Sequence, residues 1–165
     1  MSHPHRYQLQ LTWTGNTGQG TANYRAYKRD HEITAPGKQA LIAGSSDATF
    51  RGDAARYNPE ELLLAALSAC HMLSMLHLCA DAGICVTSYS DQPEGLMVTD
   101  RDGSGRFTEL TLRPQMIITD PARIEEAKSL HHRAHELCFI ANSVNFPVLC
   151  VPSVLPEKDS VARAD

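Results

Sequence analysis

The sequence predicts an α+β domain in which an antiparallel sheet packs on helices. Short segments of alternating apolar and polar residues lie towards both ends of the chain, which indicates strands. A long apolar segment with helix start and stop signals lies between them, and a second helical segment precedes the last strand. With 165 residues the chain is long enough for a substantial core, so we expect a single domain over residues 1–165.

The composition narrows the classes of function. The chain has 15 Lys+Arg against 19 Asp+Glu and no basic stripe, so we expect no nucleic-acid partner. The N-terminal residues MSHPHRYQLQL lack the apolar core of a secretory signal, which favours a cytoplasmic location. Five cysteines in such a chain indicate buried thiols or redox chemistry rather than a disulfide framework.

The apolar segment at residues 58–83 predicts one long, mostly buried helix. Asn58 is a suitable N-cap, Pro59 suits the first helical position, and Glu60 places negative charge at the positive end of the helix dipole. Gly83 can adopt the left-handed conformation that ends a helix. Apolar residues cover most of its circumference, which requires cover by other elements, while polar residues along it argue against a membrane span.

The other elements follow from alternation and turn signals. Residues 6–13 predict a half-buried strand with Tyr7, Leu9, Leu11 and Trp13 on one face. Further strands are predicted at residues 21–27, 31–34, 41–43, 84–89, 96–98, 107–118 and 148–152.

Turns and loops connect these strands. The GNTGQG sequence at residues 15–20 predicts a turn, and its glycine spacing does not fit a phosphate-binding loop, so we expect no nucleotide cofactor. The RDGSGR sequence at residues 101–106 predicts a hairpin. Asp120 and Pro121 begin a second helix that ends near Glu136, and the polar tail from about residue 156 is expected to be frayed.

The cysteines are the first candidates for chemistry. Cys70 lies near the centre of the long helix, where a cysteine is more often an inert small apolar residue than a nucleophile. The same interpretation applies to Cys79, Cys85 and Cys150. Cys138 differs because it stands at the end of the second helix, before an irregular segment in which a resolving thiol could move.

The histidines offer a weaker alternative. His131 and His135 are one helical turn apart, the spacing with which two imidazoles bind one metal ion, but the complete HExxH motif is missing. A solvated helix face is therefore favoured, and a metal site at His131 and His135 stays an alternative. His71 and His77 are six residues apart and point in different directions on a helix, so no shared ion is expected there.

The segment NPEELLLAALSAC, followed about seventy residues later by Cys138, resembles the OsmC/Ohr superfamily of osmotically inducible and organic hydroperoxide resistance proteins. The sequence departs from the best-characterised branches, because His71 stands where an aromatic residue is usual and Phe139 stands where proline is common. The loop with the sequence SSDATFRGD is more similar to a general OsmC-like branch. The resemblance implies an OsmC-like fold: an intertwined homodimer whose two long central helices are buried between sheets, with active sites at the subunit interface.

The resemblance also implies a thiol peroxidase. Cys70 would be the peroxidatic cysteine, Cys138 the resolving cysteine and Glu60 an active-site carboxylate. An arginine would hydrogen-bond near the thiolate, with Arg51 as the first candidate; the alternatives are Arg25, Arg29 and Arg56. The implied partners are an organic hydroperoxide and a dithiol reductant such as a lipoylated protein, with no cofactor and no metal. A second hypothesis is a non-enzymatic relative that binds a small apolar ligand or senses redox state at the dimer interface.

Overall fold

A computed structural model describes residues 3–158. They divide into two compact units, one up to Leu63 and one from Leu64 onward. The predicted single domain stays a prediction, and the end of the predicted polar tail, residues 159–165, lies outside the described residues. The boundary between the units falls within the long helix.

The first unit contains a three-stranded antiparallel sheet of β1 (Gln10–Trp13), β2 (His31–Thr34) and β3 (Ile42–Gly44), in that order. The strand predicted at residues 21–27 is wrong, because these residues form turns. The side chain of Asn23 accepts a hydrogen bond from the backbone N–H of Arg25, and such local bonds compete with strand pairing.

The apolar face predicted for the first strand is not buried within this chain. Its four residues are between 41% and 88% exposed: Tyr7, Leu9, Leu11 and Trp13. The prediction of a half-buried strand is therefore wrong for the single chain, because alternation shows which face is apolar but not what covers it.

The long helix α1 runs from Pro59 to Asp81. Asn58 caps it as predicted: its Oδ1 accepts from the N–H of Glu61 at 2.7 Å, and the Glu61 carboxylate accepts from the N–H of Asn58 at 3.0 Å. These reciprocal bonds form a capping box. At the other end Gly83 has φ +69°, and the N–H of Ile84 reaches back to the carbonyl of Cys79 at 2.8 Å.

Only one stripe of α1 is fully buried within the chain. It consists of Leu67, His71, Met75 and Cys79, each four residues from the next. Leu73, on another side of the helix, is 63% exposed. The predicted burial on most sides is therefore not achieved by this chain alone. By length and composition α1 could also cross a membrane, a test that core helices of soluble proteins pass as well.

The second unit contains two three-stranded sheets. One has the order β4–β7–β9 and the other β5–β6–β8. The strands are β4 (Val86–Ser90), β5 (Glu94–Thr99), β6 (Gly105–Leu112), β7 (Gln115–Ile118), β8 (Val148–Cys150) and β9 (Ser153–Pro156). The predicted hairpin joins β5 to β6. Each sheet also has one parallel pair, β6 with β8 and β7 with β9, so the purely antiparallel prediction is wrong.

Two prolines mark breaks between strands. One falls inside the strand predicted at residues 107–118, and the other ends the strand predicted at residues 148–152, after which β9 was not predicted. Pro114 separates β6 from β7, and Pro152 separates β8 from β9. Proline has no N–H for strand pairing, so a strand ends or changes sheet there. The strands on either side of each proline belong to different sheets.

The second helix begins as predicted. Asp120 caps a short 3₁₀ turn at Pro121–Arg123 by accepting from the N–H of Ala122 at 2.9 Å, and α2 follows at Ile124–Leu137. The buried face of α2 consists of Ala127, His131 and Ala134. Apolar residues of α1, α2, the β4–β7–β9 sheet and the segment between α1 and β4 form the core of this unit: Met75, Cys79, Ile84, Met116, Ile118, Ala127, Ala134 and Val154.

Replacement of Asn58 by alanine should lower the free energy of unfolding by about 1 kcal/mol, because the capping box loses its side-chain acceptor. Asn58→Ser should retain most of the stability. The matched control is Asn145→Ala, since Asn145 is exposed and lies outside both helices. Chemical denaturation followed by circular dichroism measures the difference. Equal stability of Asn58→Ala and Asn145→Ala would contradict the role of the cap.

Candidate functional site

Cys70 and Cys138 interact in the second unit. Cys70 is half-buried in the middle of α1, and Cys138 is the residue that follows α2 and is 1% exposed. Burial, followed by a hydrogen bond with the Cys70 side chain, raises the pKa of Cys138 to about 11. Cys138 is therefore protonated at neutral pH, and its S–H is the donor in this pair. Both cysteines are free thiols.

The backbone around Cys138 holds its sulfur in place. The N–H of Ala141 donates to Cys138 Sγ at 3.4 Å, and the N–H of Asn142 donates to the Cys138 carbonyl at 3.1 Å. These bonds belong to the turn that contains the short 3₁₀ segment Ala141–Ser143. The irregular segment predicted after the second helix is therefore ordered by hydrogen bonds to Cys138.

Glu60 and Arg56 lie in the first unit and carry buried polar atoms without a partner. Glu60 Oε2 and Arg56 Nη1 are both shielded from solvent and make no hydrogen bond within residues 3–158. Arg56 has a long ion pair with Asp53, with Nε and Oδ2 3.8 Å apart. Buried charged groups usually have partners, so these two side chains are available to bind a group that the single chain does not provide.

The other candidate arginines differ in their contacts and in their exposure to solvent. Arg29 donates to the carbonyls of Tyr27 and Tyr24 at 2.6 and 2.8 Å, and its guanidinium lies over both rings. Arg51 is exposed and has φ +67°. Arg25 is also exposed. The roles predicted for Glu60 and for an arginine stay predictions.

A second cluster joins His71 of α1, His131 of α2 and Cys150 of β8. His71 Nε2 lies 3.0 Å from His131 Nδ1, and Cys150 Sγ lies 3.6 Å from His71 Nε2. One donor atom from each residue lies within 4.8 Å of the others. His71 is 0% exposed and His131 3%. Imidazole nitrogen and thiolate sulfur are the donors that Zn²⁺ and similar ions prefer.

The two imidazoles meet edge to edge. Their planes are 15° apart and their centroids 5.3 Å apart. When the two nitrogens are 3.0 Å apart, the centroids of two imidazole rings cannot be much farther apart than this. The two nitrogens therefore lie close to the line between the centroids, so the contact is an in-plane N–H···N hydrogen bond and not a face-to-face stack. The second nitrogen of each ring, His71 Nδ1 and His131 Nε2, is buried and has no hydrogen-bond partner in the described part of the chain.

Burial keeps these groups neutral. It lowers the pKa of His131 to about 4, with a further contribution from His71. Burial also lowers the pKa of His71, and the nearby His135 adds to the effect. It raises the pKa of Cys150 to about 11, and the Asp91 carboxylate raises it further. At neutral pH the cluster consists of two neutral imidazoles and a thiol.

Two sequence-based interpretations need correction. His131 was expected on a solvated face but is buried, and its partners are His71 and Cys150 rather than His135. The pattern could have shown this, because Ala127 and Ala134 lie on the same face of α2 as His131. Cys150 was expected to be an inert strand residue, and nothing in the local sequence indicates that His71 lies next to it. Cys79, in contrast, is buried in the core as expected.

The OsmC-like protein family model matches residues 52–150. An OsmC-like protein of unknown function from Vibrio cholerae is 30% identical, covers 90% of this chain and 99% of its own, and has a TM-score of 0.81. The chain therefore belongs to the OsmC-like protein family. No curated protein is significantly similar in sequence.

Two more distant structures share the fold. An organic hydroperoxide resistance protein from Elizabethkingia anophelis is 18% identical, with 94% of this chain and 100% of its own covered and a TM-score of 0.65. One from Legionella pneumophila is 19% identical, with 92% and 98% covered and a TM-score of 0.61. The recognition of the superfamily from the sequence is confirmed, as is the mixed α+β class.

The depressed pKa of His131 predicts how stability depends on pH. The unfolded chain binds a proton at His131 near pH 6.5 and the folded chain only near pH 4. Between these values the unfolded state holds more protons, so stability is full above pH 6.5 and falls as the pH decreases. The loss is on the order of 3 kcal/mol.

His131→Gln should remove this part of the pH dependence, whereas His132→Gln should keep it, because the His132 side chain is 85% exposed. Urea denaturation between pH 7 and pH 4.5 measures the slope of the free energy of unfolding against pH. A chelator is present so that only protons bind to the imidazoles. Identical slopes for the two variants would show that His131 is not the titrating group.

Proposed function

We propose that this protein is a cytoplasmic thiol peroxidase that reduces organic hydroperoxides and acts as a homodimer. The observation that carries the proposal is a pair of free thiols, Cys70 and Cys138, close enough for Cys70 to raise the pKa of Cys138, in a chain of the OsmC-like family. Members of the same fold named organic hydroperoxide resistance proteins support the substrate class.

The reaction begins at Cys70. Its thiolate attacks the terminal oxygen of the hydroperoxide, so that an S–O bond forms, the O–O bond breaks and an alcohol leaves after taking up a proton. The raised pKa of Cys138 keeps its thiol protonated during this step, so it is held beside Cys70 for the second.

The second step closes a disulfide. The Cys138 sulfur attacks the sulfenic acid of Cys70, and water leaves with the oxygen. Cys138 must lose its proton for this step, and the N–H groups of the following turn favour its thiolate. A dithiol then restores both thiols by exchange and becomes a disulfide itself. A lipoylated protein is a dithiol of the required class.

The dimer follows from apolar surface that one chain leaves uncovered. Leu73 on α1 is 63% exposed. Leu9, just before β1, is 65% exposed, and Leu11, within β1, is 59% exposed. Scattered exposed leucines are ordinary, but here they fall on the faces that the sequence pattern marks as core. A second copy of the chain would cover them.

Glu60 gives a second reason for a dimer. Cys70 is ten residues after Glu60 in α1, and an α-helix rises about 1.5 Å per residue, so they are roughly 15 Å apart along the axis of α1. We therefore assign Glu60 to the site of the opposite subunit, where it orients an arginine beside the thiolate. Arg56, whose Nη1 is buried and unpartnered, is the arginine to test first, ahead of Arg51, Arg25 and Arg29.

Cys70→Ser should abolish consumption of cumene hydroperoxide with dihydrolipoamide as reductant. Cys79→Ser should leave consumption unchanged, because Cys79 is in the core and takes no part in the reaction. Cys138→Ser should stop turnover after one equivalent and leave a sulfenic acid that dimedone labels. Full activity of Cys70→Ser would refute the proposal, and a disulfide that forms without turnover would favour the redox-sensor hypothesis.

Co-expression of two inactive subunits tests the assignment of Glu60. A heterodimer of Cys70→Ser and Glu60→Gln subunits has one complete site if Glu60 serves the opposite subunit, so random pairing should restore about a quarter of wild-type activity. If Glu60 serves its own subunit, both sites of the heterodimer are defective and no activity returns. Separately purified variants provide the baseline.

A further inference from the structure

We propose that His71, His131 and Cys150 form a binding site for a divalent transition metal ion of the Zn²⁺ class. The three residues come from α1, α2 and β8, so the site exists only in the folded chain. It does not include Cys70 or Cys138 and is independent of the peroxidase chemistry proposed above.

The separations between the donor atoms fit such an ion. Bonds of about 2.0–2.1 Å to nitrogen and about 2.3 Å to sulfur, at tetrahedral angles, place donor atoms roughly 3.3–3.6 Å apart. Here the two nitrogens are 3.0 Å apart, and Cys150 Sγ is 3.6 Å from His71 Nε2. These two separations differ from the tetrahedral values by a few tenths of an ångström at most. The third pair of donor atoms lies within 4.8 Å and would close to about 3.6 Å on binding.

The two buried imidazoles already bring their candidate metal-binding nitrogens together. His71 Nε2 and His131 Nδ1 share one hydrogen bond of 3.0 Å, and these are the two nitrogens that an ion would bond to. A neutral imidazole that binds a metal through one nitrogen carries its proton on the other, here His71 Nδ1 and His131 Nε2. Neither of those two atoms has a hydrogen-bond partner among the described residues, so no protein group fixes the present tautomers.

The position of the ion follows from the ring geometry. The two facing nitrogens are too close for an ion to lie between them on the line of their hydrogen bond. The ion would therefore lie beside that line, towards Cys150 Sγ, and bonds of about 2.0–2.1 Å require each ring to reorient by about 35° to direct its lone pair there. The χ2 torsion of histidine has broad minima, which permits part of this reorientation.

A cleft supplies the remaining coordination position. Its volume is about 360 Å³, and His131 and Cys150 are among its lining residues, with His135 and Lys128 nearby. Water from this cleft can complete a tetrahedral set, which is the pattern of three protein ligands and one open position. On binding, Cys150 loses its thiol proton to solvent as the metal–sulfur bond forms.

The charge around the cluster also suits a cation. The Asp91 carboxylate is close enough to raise the pKa of both His71 and Cys150. It is itself fixed by the Ser68 hydroxyl at 2.6 Å and by the N–H of Arg113 at 2.7 Å. A dication bound by one thiolate has a net charge of +1, which this carboxylate offsets.

Cobalt binding provides the direct test. The parent protein for this test is the variant His3→Ala, His5→Ala, which lacks two exposed histidines near the N-terminus. It is first reduced and treated with a chelator. Titration with Co²⁺ should give one ion per chain with a thiolate-to-cobalt charge-transfer band in the near ultraviolet, and Zn²⁺ should displace it. Cys150→Ser should lose the band, and His131→Ala should bind at least about tenfold more weakly.

Matched controls separate this site from other thiols and histidines. Cys85→Ser and His132→Ala should bind cobalt as the parent does, because Cys85 is exposed and the His132 side chain is 85% exposed. A band that survives in Cys150→Ser but disappears in Cys70→Ser would overturn the proposal in favour of the Cys70–Cys138 pair. Absence of binding to the parent would also overturn it.

X-ray absorption of the zinc-loaded parent does not depend on any variant folding. The proposal predicts one sulfur and two imidazole nitrogens around the ion, with a light atom in the fourth position. Two sulfur ligands, or none, would contradict it. In the same sample, zinc should raise the melting temperature, because the ion links α1, α2 and β8.

Discussion

The contact between α1 and α2 is the constraint on which both sites depend. Successive residues of an α-helix point about 100° apart, so the neighbours Cys70 and His71 leave α1 in different directions. Cys70 meets Cys138 and His71 meets His131, and these two partners are seven residues apart, which is about two turns of α2. One helix pair therefore holds two separate arrangements, a pair of thiols and a cluster of imidazoles with a thiol.

Burial gives these two arrangements their chemistry. It raises the pKa of Cys138 and Cys150 and lowers that of His131, so all three are neutral near pH 7. In the proposed reaction Cys138 stays a protonated thiol until it acts as the resolving group. Neutral imidazoles are the form that coordinates metals. The same desolvation thus prepares one cluster for redox chemistry and the other for metal binding.

Much of the secondary structure could be predicted from the sequence because it depends on local interactions. Asn58 begins α1, Gly83 ends it and Asp120 caps the segment before α2, all as expected from capping residues. The sheet order could not be predicted in this way. Pro114 gave a local sign of the break between β6 and β7, but the parallel pairing of β6 with β8 depends on residues far apart in the chain.

The two candidate sites also differ in how far the sequence could predict them. Cys70, Cys138 and Glu60 were found because their spacing resembles that of a known family, whereas the cluster at His71, His131 and Cys150 draws on three distant segments. Periodicity placed His71 on the stripe of Leu67 and Met75 but could not identify its neighbours. A long-range contact of this kind needs coordinates.

Peptide mapping after one equivalent of cumene hydroperoxide tests the central claim most directly. The protein is digested without reduction after free thiols are blocked, and mass spectrometry identifies linked peptides. A Cys70–Cys138 linked peptide as the dominant product, with Cys79, Cys85 and Cys150 still blocked as free thiols, is the predicted result. Oxidation that falls mainly on Cys85 or Cys150, with Cys70 and Cys138 still reduced, would contradict the claim.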